Sequence, residues 1–484
     1  MIETEPMKLA LEPEPEEPEV APAPKATDTR WYWWLAGLAL VAGLFLRIWP
    51  WAGWTRIGFD EAIYRDNVLR LDTVGLSNYP LVCDRYIEDQ RKPEVITKLP
   101  PTRFLYVYVA WMWKQYEFGD APAVSPKTDN AGQHDPALVS LHHTSCLFSC
   151  LGLVLCGVAA WRILGVRAMP GVLALMAFSP LQIHLAQHAL IDGVFTFWAI
   201  LNLWLLWENL QRPNDIRLLG AFALSLALMV MTKENSFFVF LALAGVVAAN
   251  RWERFPRAAL VSGVVLAVVG IGLMIWTQQL LFVYLPIVGV AMATRQVRLG
   301  MVTPKLLVAG VLGPLLGVIA LVLLAGGVHP FVEIYRLLVT KAETLDFAIR
   351  TGDGPWYRYL LELLLLSPLV FVLAIGGLFT QVRQRPAYVY LVAFVVLGYA
   401  VMCNIRYGMN LRYTSIWDFS IRALAAAQVA ALGAQCGRWR GLVTGLVIVA
   451  LCAYDLRQYY VFFVHGAIYE PVTGALLQVV KILK

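Results

Sequence analysis

Long apolar stretches recur along nearly the whole chain, separated by short polar segments. They fall at approximately residues 31–50, 137–162, 168–186, 189–210, 215–231, 235–250, 258–278, 279–294, 304–325, 357–379, 386–403, 413–434 and 440–463. A helix needs about 20 mostly apolar residues to cross a bilayer, so the pattern predicts about 13 spans. The short segments of alternating polarity that mark a membrane barrel do not occur. The expected fold class is all-α, a polytopic membrane protein of about 13 transmembrane helices. Two of the intervening segments are long, residues 51–136 and 326–356. Within the first, "PTRFLYVYVAWMWKQYEF" at 101–118 is apolar enough to touch lipid. It reads as a juxtamembrane helix lying at the interface, with its aromatics at headgroup level.

The basic residues supply an orientation. With Lys25 and Arg30 in the cytoplasm, alternation puts Arg162 with Arg167, Arg212 with Arg217, and Arg251, Arg254 and Arg257 on the same side. Arg295, Arg298 and Lys305, then Arg383 with Arg385 and Arg438 with Arg440, follow them there. Positive charge concentrates in cytoplasmic loops, so both long loops are expected to face outward. If 101–118 spanned, every later cluster would change sides. Residues 1–30, with the run "EPEPEEPEVAPAPK", are Pro- and Glu-rich and read as a disordered cytoplasmic tail rather than a signal peptide. The transmembrane domain is expected over 31–463, followed by a short outer tail at 464–484.

Composition narrows the class further. Hydrophobic residues make up 59% of the 484 and charged residues 15%, against about 25% charged in a soluble domain. The net charge of +6 is scattered over short loops, which is a topology signal rather than a nucleic-acid footprint. The seven cysteines show neither a disulfide framework nor metal-ligand spacing.

Charge at membrane depth is costly and tends to be functional. On the expected topology the expensive residues gather on the outer face. "GFDEAIYRDN" opens the first long loop with Asp60, Glu61 and Tyr64. "SPLQIHLAQHALIDGVFTF" brings His184, His188 and Asp192 to the next outer turn. "MVMTKENSFFVF" brings Lys233 and Glu234, and "NIRYGMNLRYTSIW" brings Arg406, Arg412 and Tyr413. The second long loop carries Lys341, Glu343 and "GDGPWYRY" with Trp356 and Tyr357. Each has a plainer reading. Asp60 and Glu61 suit the first turn of a helix, Asp192 suits an N-cap, and Lys233 with Glu234 suits a salt-bridged turn or a snorkelling lysine. His184, His188 and Asp192 recur at i, i+4, i+8, a face that suits a metal. They lack a further strong ligand and are expected to hydrogen-bond within the site. A divalent metal is compatible with the sequence but not implied by it. The shared membrane face, more than any single motif, points to an enzyme with an outward-opening site. A transporter or flippase-associated protein is the alternative; it would place its charges nearer the midplane and carry repeat symmetry.

The order of these motifs resembles the GT-C superfamily of membrane glycosyltransferases. Within it the chain looks most like the dolichyl-phosphate-mannose protein mannosyltransferases and the bacterial lipid A aminoarabinose transferases, over roughly residues 31–463. The family's acidic pair and tyrosine correspond to Asp60, Glu61 and Tyr64. Its basic residue before a Pro-Pro step corresponds to Lys98 with Pro100 and Pro101, its "SP…D" segment to Ser179, Pro180 and Asp192, and its "TK" turn to Thr232 and Lys233. Its late aromatic and "RY" elements correspond to "GPWYRY" and to Arg412-Tyr413. The chain departs from the pattern where Leu99 follows Lys98, where His142 or His143 stands for an arginine, and where His188 stands for another.

The resemblance implies an inverting glycosyltransferase that moves a sugar from a polyprenyl-phosphate donor to a hydroxyl on a protein, lipid or glycan acceptor. Its site would face outward from a plasma membrane, with a bacterial inner membrane favoured. Asp60 is expected as general base, its pKa raised by apolar flanks such as Phe59. Glu61 would orient the acceptor or hold a neighbouring cation, and Asp192 would support the pair or bind sugar hydroxyls. Lys233, Arg412 and Lys98 are expected on the donor phosphate. Tyr64, His184, His188, Glu234, Trp356, Tyr357 and Tyr413 are expected to position substrate.

Overall fold

The computed structural model describes residues 29–49, 58–93, 95, 98–122, 134–294, 298–342, 354–382, 385–404, 409–466 and 472. The expected tails therefore lie almost wholly outside the described residues, as do Arg406 and Glu343. In chain order the helices are α1 (Arg30–Ile48), α2 (Phe59–Val74), α3 (Tyr79–Arg91), α4 (Phe104–Phe118), α5 (Pro136–Leu164), α6 (Met169–Ala177) and α7 (Pro180–Ala186). Next come α8 (Ile191–Gln211), α9 (Ile216–Thr232), α10 (Ser236–Ala249), α11 (Pro256–Thr277), α12 (Tyr284–Thr294) and α13 (Pro304–Leu324). The series ends with α14 (Val328–Ala342), α15 (Arg358–Leu366), α16 (Pro368–Thr380), α17 (Pro386–Met402), α18 (Ser415–Ala434) and α19 (Arg440–Tyr459). No strand occurs among the described residues.

The chain is an integral membrane protein. Among the described residues, five helical segments are long and apolar enough to cross a bilayer, or seven if two bent pairs each count as a span, and four shorter apolar helices accompany them. Two apolar runs expected to be single helices are broken. The 168–186 run bends by 57° between α6 and α7, and the 357–379 run by 119° between α15 and α16. Both breaks have a proline as first residue of the second helix, Pro180 and Pro368. Proline lacks an amide hydrogen and cannot continue the preceding ladder. The 279–294 run is likewise shorter than expected, a 3₁₀ turn at Leu280–Val283 followed by the 11-residue α12.

Two buried arginines resolve the first break. Arg47 of α1 donates to the carbonyls of Ala177 and Met176, each at 3.1 Å, and Arg422 of α18 donates to that of Leu175 at 2.9 Å. These are the orphan carbonyls at the end of α6, where cations are favoured. Arg422 also pairs with Asp418 at 2.7 Å and Asp455 at 2.6 Å, and Asp418 accepts from Ser179, the N-cap of α7. Elsewhere helices approach through small residues. A β-carbon at Gly313 of α13 would lie 2.5 Å from the carbonyl oxygen of Ala223 on α9, and one at Gly317 2.7 Å from that of Ala227. That small-xxx-small stripe lets two spans touch backbone to backbone without a hydrophobic driving force between them.

The described residues of the first long loop form a layer of three helices, α2, α3 and α4. Arg65 of α2 pairs with Asp135, the N-cap of α5, at 2.7 Å, and Lys114 of α4 pairs with Asp72 of α2 at 2.7 Å. At 15 residues, α4 is shorter than a perpendicular span needs. From the second loop, α14 docks on α3 through Arg91 and Glu333, 3.2 Å apart. These contacts set a helical lid of structure above one end of α5, α8 and α9.

Candidate active site

Asp192 lies in the first turn of α8, and Lys233 caps the C-terminus of α9. The two helices run antiparallel, so these residues meet at one end of the bundle. The Lys233 Nζ lies 2.5 Å from Asp192 Oδ1, both side chains being almost completely buried. Lys233 also sits over the ring of Tyr413, 4.3 Å from its centroid, where the quadrupole favours a cation. Arg412 arrives on the 3₁₀ turn Leu411–Thr414, fixed by Asn410, whose Oδ1 accepts from both the Arg412 amide and Nε. One Arg412 guanidinium nitrogen donates to Asp60 Oδ2 at 2.9 Å and to Asp192 Oδ2 at 3.3 Å. Four residues spread across the chain thus form one ion-paired chain, Asp60–Arg412–Asp192–Lys233.

A second branch was not anticipated from the sequence. Arg103, just before α4, is buried and places two guanidinium nitrogens on the two carboxylate oxygens of Glu234 and a third on the Tyr64 hydroxyl. The signal available in the sequence was the Pro-Pro step itself, because Arg103 follows Pro101 by two residues. Arginine matches a carboxylate bidentately where lysine is only a point charge. Lys98, the residue expected there, instead reaches Asp89 of α3 at 3.4 Å and is half exposed. Trp356 and Tyr357 are also elsewhere. Both are exposed at the start of α15, Trp356 giving its carbonyl to Tyr399, and among the described residues they share no hydrogen bond or ring contact with the ion cluster.

Glu61 takes a different position from its neighbour. As the third residue of α2 it reaches back to accept from the amide of Gly58 at 2.6 Å, the return half of a capping box, since glycine has no side chain to supply the other half. Its other oxygen accepts from the Ala189 amide at 2.9 Å and meets His188 Nδ1 at 3.2 Å. Burial alone would raise this carboxyl. The His188 hydrogen bond and charge, the charge of His142 and the Gly58 amide outweigh that and hold it down to about 2. Glu61 is therefore a firmly ionised strut that fixes the turn leading into Asp192. The expected apolar flank also fails, because Phe59 is exposed on the outer side of α2. Tyr64 is buried, edge-on to Tyr106 with centroids 5.1 Å apart. Tyr106 in turn meets the Ser145 hydroxyl, which donates to the carbonyl of Leu190.

His184, His188 and Asp192 do not share one helical face. The helix ends at Ala186, His188 lies in a turn closed by the Leu190 amide on its carbonyl, and Asp192 begins α8. His184 stacks on Phe463 at 4.1 Å and meets the His188 ring at 4.5 Å, tilted by 50°. Both Asp192 oxygens accept from cations, so the trio does not converge as a ligand set. No group of three metal-binding side chains occurs among the described residues. Glu234 does not pair with its neighbour Lys233; each turns to a different partner.

The two ends of the bundle differ. At the far end of α8, Glu208 accepts a bidentate pair from Arg162 at 2.6 and 2.7 Å. Asp192 and Glu208 are separated by roughly 24 Å of helix.

Residues 86–299, somewhat under half of the chain, match the family described as dolichyl-phosphate-mannose-protein mannosyltransferase. The segment contains Arg103, Asp192, Lys233 and Glu234; Asp60, Glu61, Tyr64 and Arg412 lie outside it. A search among curated proteins gives no match. Among solved structures the chain is similar to ArnT from Cupriavidus metallidurans in the apo state, with 14% identity, covering 93% of this chain and 77% of that one, at a TM-score of 0.44. The same protein bound to undecaprenyl phosphate gives 15% identity, the same coverages and a TM-score of 0.43. The Archaeoglobus fulgidus oligosaccharyltransferase in complex with Zn and sulfate gives 14% identity, covering 88% of this chain and 52% of that one, at 0.47.

Proposed function

We propose that this chain, similar over residues 86–299 to the dolichyl-phosphate-mannose-protein mannosyltransferases, is an inverting membrane glycosyltransferase. It moves a sugar from a polyprenyl-phosphate donor to a hydroxyl acceptor at the outer face of a plasma membrane. The observation that carries this reading is the Asp60–Arg412–Asp192–Lys233 chain at the head of α8. It sets a carboxylate beside cations at the one end of the bundle covered by the long loops.

The chemistry needs both. A displacement at the anomeric carbon requires a base for the incoming hydroxyl and positive charge for the departing phosphate. Asp60 takes the proton, because of the acidic pair it is the member that keeps an exposed edge; Glu61 is committed to its capping and turn contacts. Asp192 holds Arg412 and Lys233 in place, and the cations stabilise the charge developing on the phosphate. A donor carried on a lipid tail calls for a site at the membrane surface, which is where this reading puts the cluster.

The test offers a panel of polyprenyl-phosphate sugars to the purified protein and to Asp60→Asn in liposomes. Turnover by the wild type alone, with the variant folded, supports the reading. Equal turnover by Asp60→Asn overturns the base assignment, and no turnover of any donor by folded wild-type protein overturns the glycosyltransferase reading.

A further inference from the structure

Three carboxylates and three cations meet at this site: Asp60, Asp192 and Glu234 against Arg412, Lys233 and Arg103. Among the described residues the charges of this cluster balance, so an arriving phosphate takes a cation from a carboxylate. The cost of that exchange depends on whether the abandoned carboxylate meets water. The Asp192 side chain is 1% exposed, and leaving it unpaired would strand a buried charge. Glu234 and Asp60 are 21% and 19% exposed and can be rehydrated in place. Lys233 is itself only 2% exposed, out of easy reach of an arriving ligand, and stays with Asp192. Arg412 can release Asp60 and keep Asp192. Arg103 can release Glu234 and keep its bond to Tyr64.

We infer that Arg103 is a donor-phosphate ligand of this site and that Glu234 is its resident competitor, filling the guanidinium fork until a lipid phosphate displaces it. This rests on the reading given under Proposed function. The fork is set for two oxygens, since both Glu234 oxygens already occupy it, and phosphate fits the same geometry. Tyr64 holds the guanidinium from its remaining side, so it does not have to reorient when the oxygen donor changes. Glu234 and Lys233 are consecutive in one turn, which places the fork beside the buried Lys233–Asp192 pair. The carboxylate keeps the cation from standing unpaired at the membrane surface before the donor binds, and it sets a threshold that neutral lipids do not pass.

The experiment measures farnesyl phosphate binding to the full chain in detergent by tryptophan fluorescence, with farnesol as the uncharged control. Glu234→Gln keeps the shape and removes the competing charge, so it is expected to bind farnesyl phosphate roughly three-fold tighter or better, although it loses an ion pair. A group that only braced the fold would give no such gain. Arg103→Gln is expected to weaken binding roughly ten-fold, and Arg103→Lys to recover part of the loss as a point charge without the fork. Unchanged or weaker binding by folded Glu234→Gln overturns the inference, as does wild-type affinity in Arg103→Gln. Wild-type protein that binds farnesyl phosphate no better than farnesol overturns the lipid-phosphate reading itself, whatever the variants do.

Discussion

Replacing Glu61 by Gln tests whether the second member of the acidic pair is a strut. Its carboxylate meets three donors, the Gly58 amide on one oxygen and the Ala189 amide and His188 on the other. A glutamine has one acceptor oxygen, so one side would face donor against donor. The group is held down to about 2 from an ordinary value of 4.5. With the folded value depressed, its contribution is full above the ordinary value and is lost as pH falls through the folded one. At neutral pH the shift corresponds to about 3 kcal/mol. Near pH 3 the same linkage leaves about 1 kcal/mol. Glu61→Gln should therefore be less stable than wild type by about 3 kcal/mol at neutral pH, and the gap should narrow by more than half near pH 3. Reversible unfolding in mixed micelles at the two pH values measures both terms. Equal stability at neutral pH, or a gap of the same size at both, would refute the claim that Glu61 acts as an ionised anchor.

Other residues carry separable expectations. Lys98→Ala should leave donor turnover within about two-fold of wild type, because Lys98 is engaged with Asp89 outside the cluster; exposed pairs of this kind are worth about 1 kcal/mol or less. A large rise in donor KM would return Lys98 to the phosphate. Arg422→Met should destabilise the protein by about 3–5 kcal/mol, since it strands Asp418 and Asp455 and uncaps Leu175. The same unfolding assay reads it, and wild-type stability would show that the α6–α7 break is held by something else.

Much of this protein was legible in its sequence because the bilayer imposes a one-dimensional rule. Apolar runs set where helices lie, and most boundaries fall within a few residues of expectation, as for Pro136–Leu164 and Ile191–Gln211. The rule fails where a proline follows a long apolar stretch. Periodicity cannot distinguish a straight span from two half-helices, and the 57° and 119° bends depend on partners that accept the broken ladder. The arginines that serve the first break, Arg47 and Arg422, were hidden inside apolar runs.

The sequence by itself determined the class of the fold, the helical segments and a short set of costly polar residues, because charge is expensive in lipid wherever it occurs. Which of those residues act together was decided only in three dimensions. Asp60 and Glu61 are neighbours in sequence yet diverge by the turn of one helix, one toward Arg412 and the other into a cap. Lys233 and Glu234 diverge in the same way. Arg103 entered the site because Glu234, 131 residues further along the chain, stands opposite it in the fold, whereas Lys98 left it for Asp89 on the neighbouring α3.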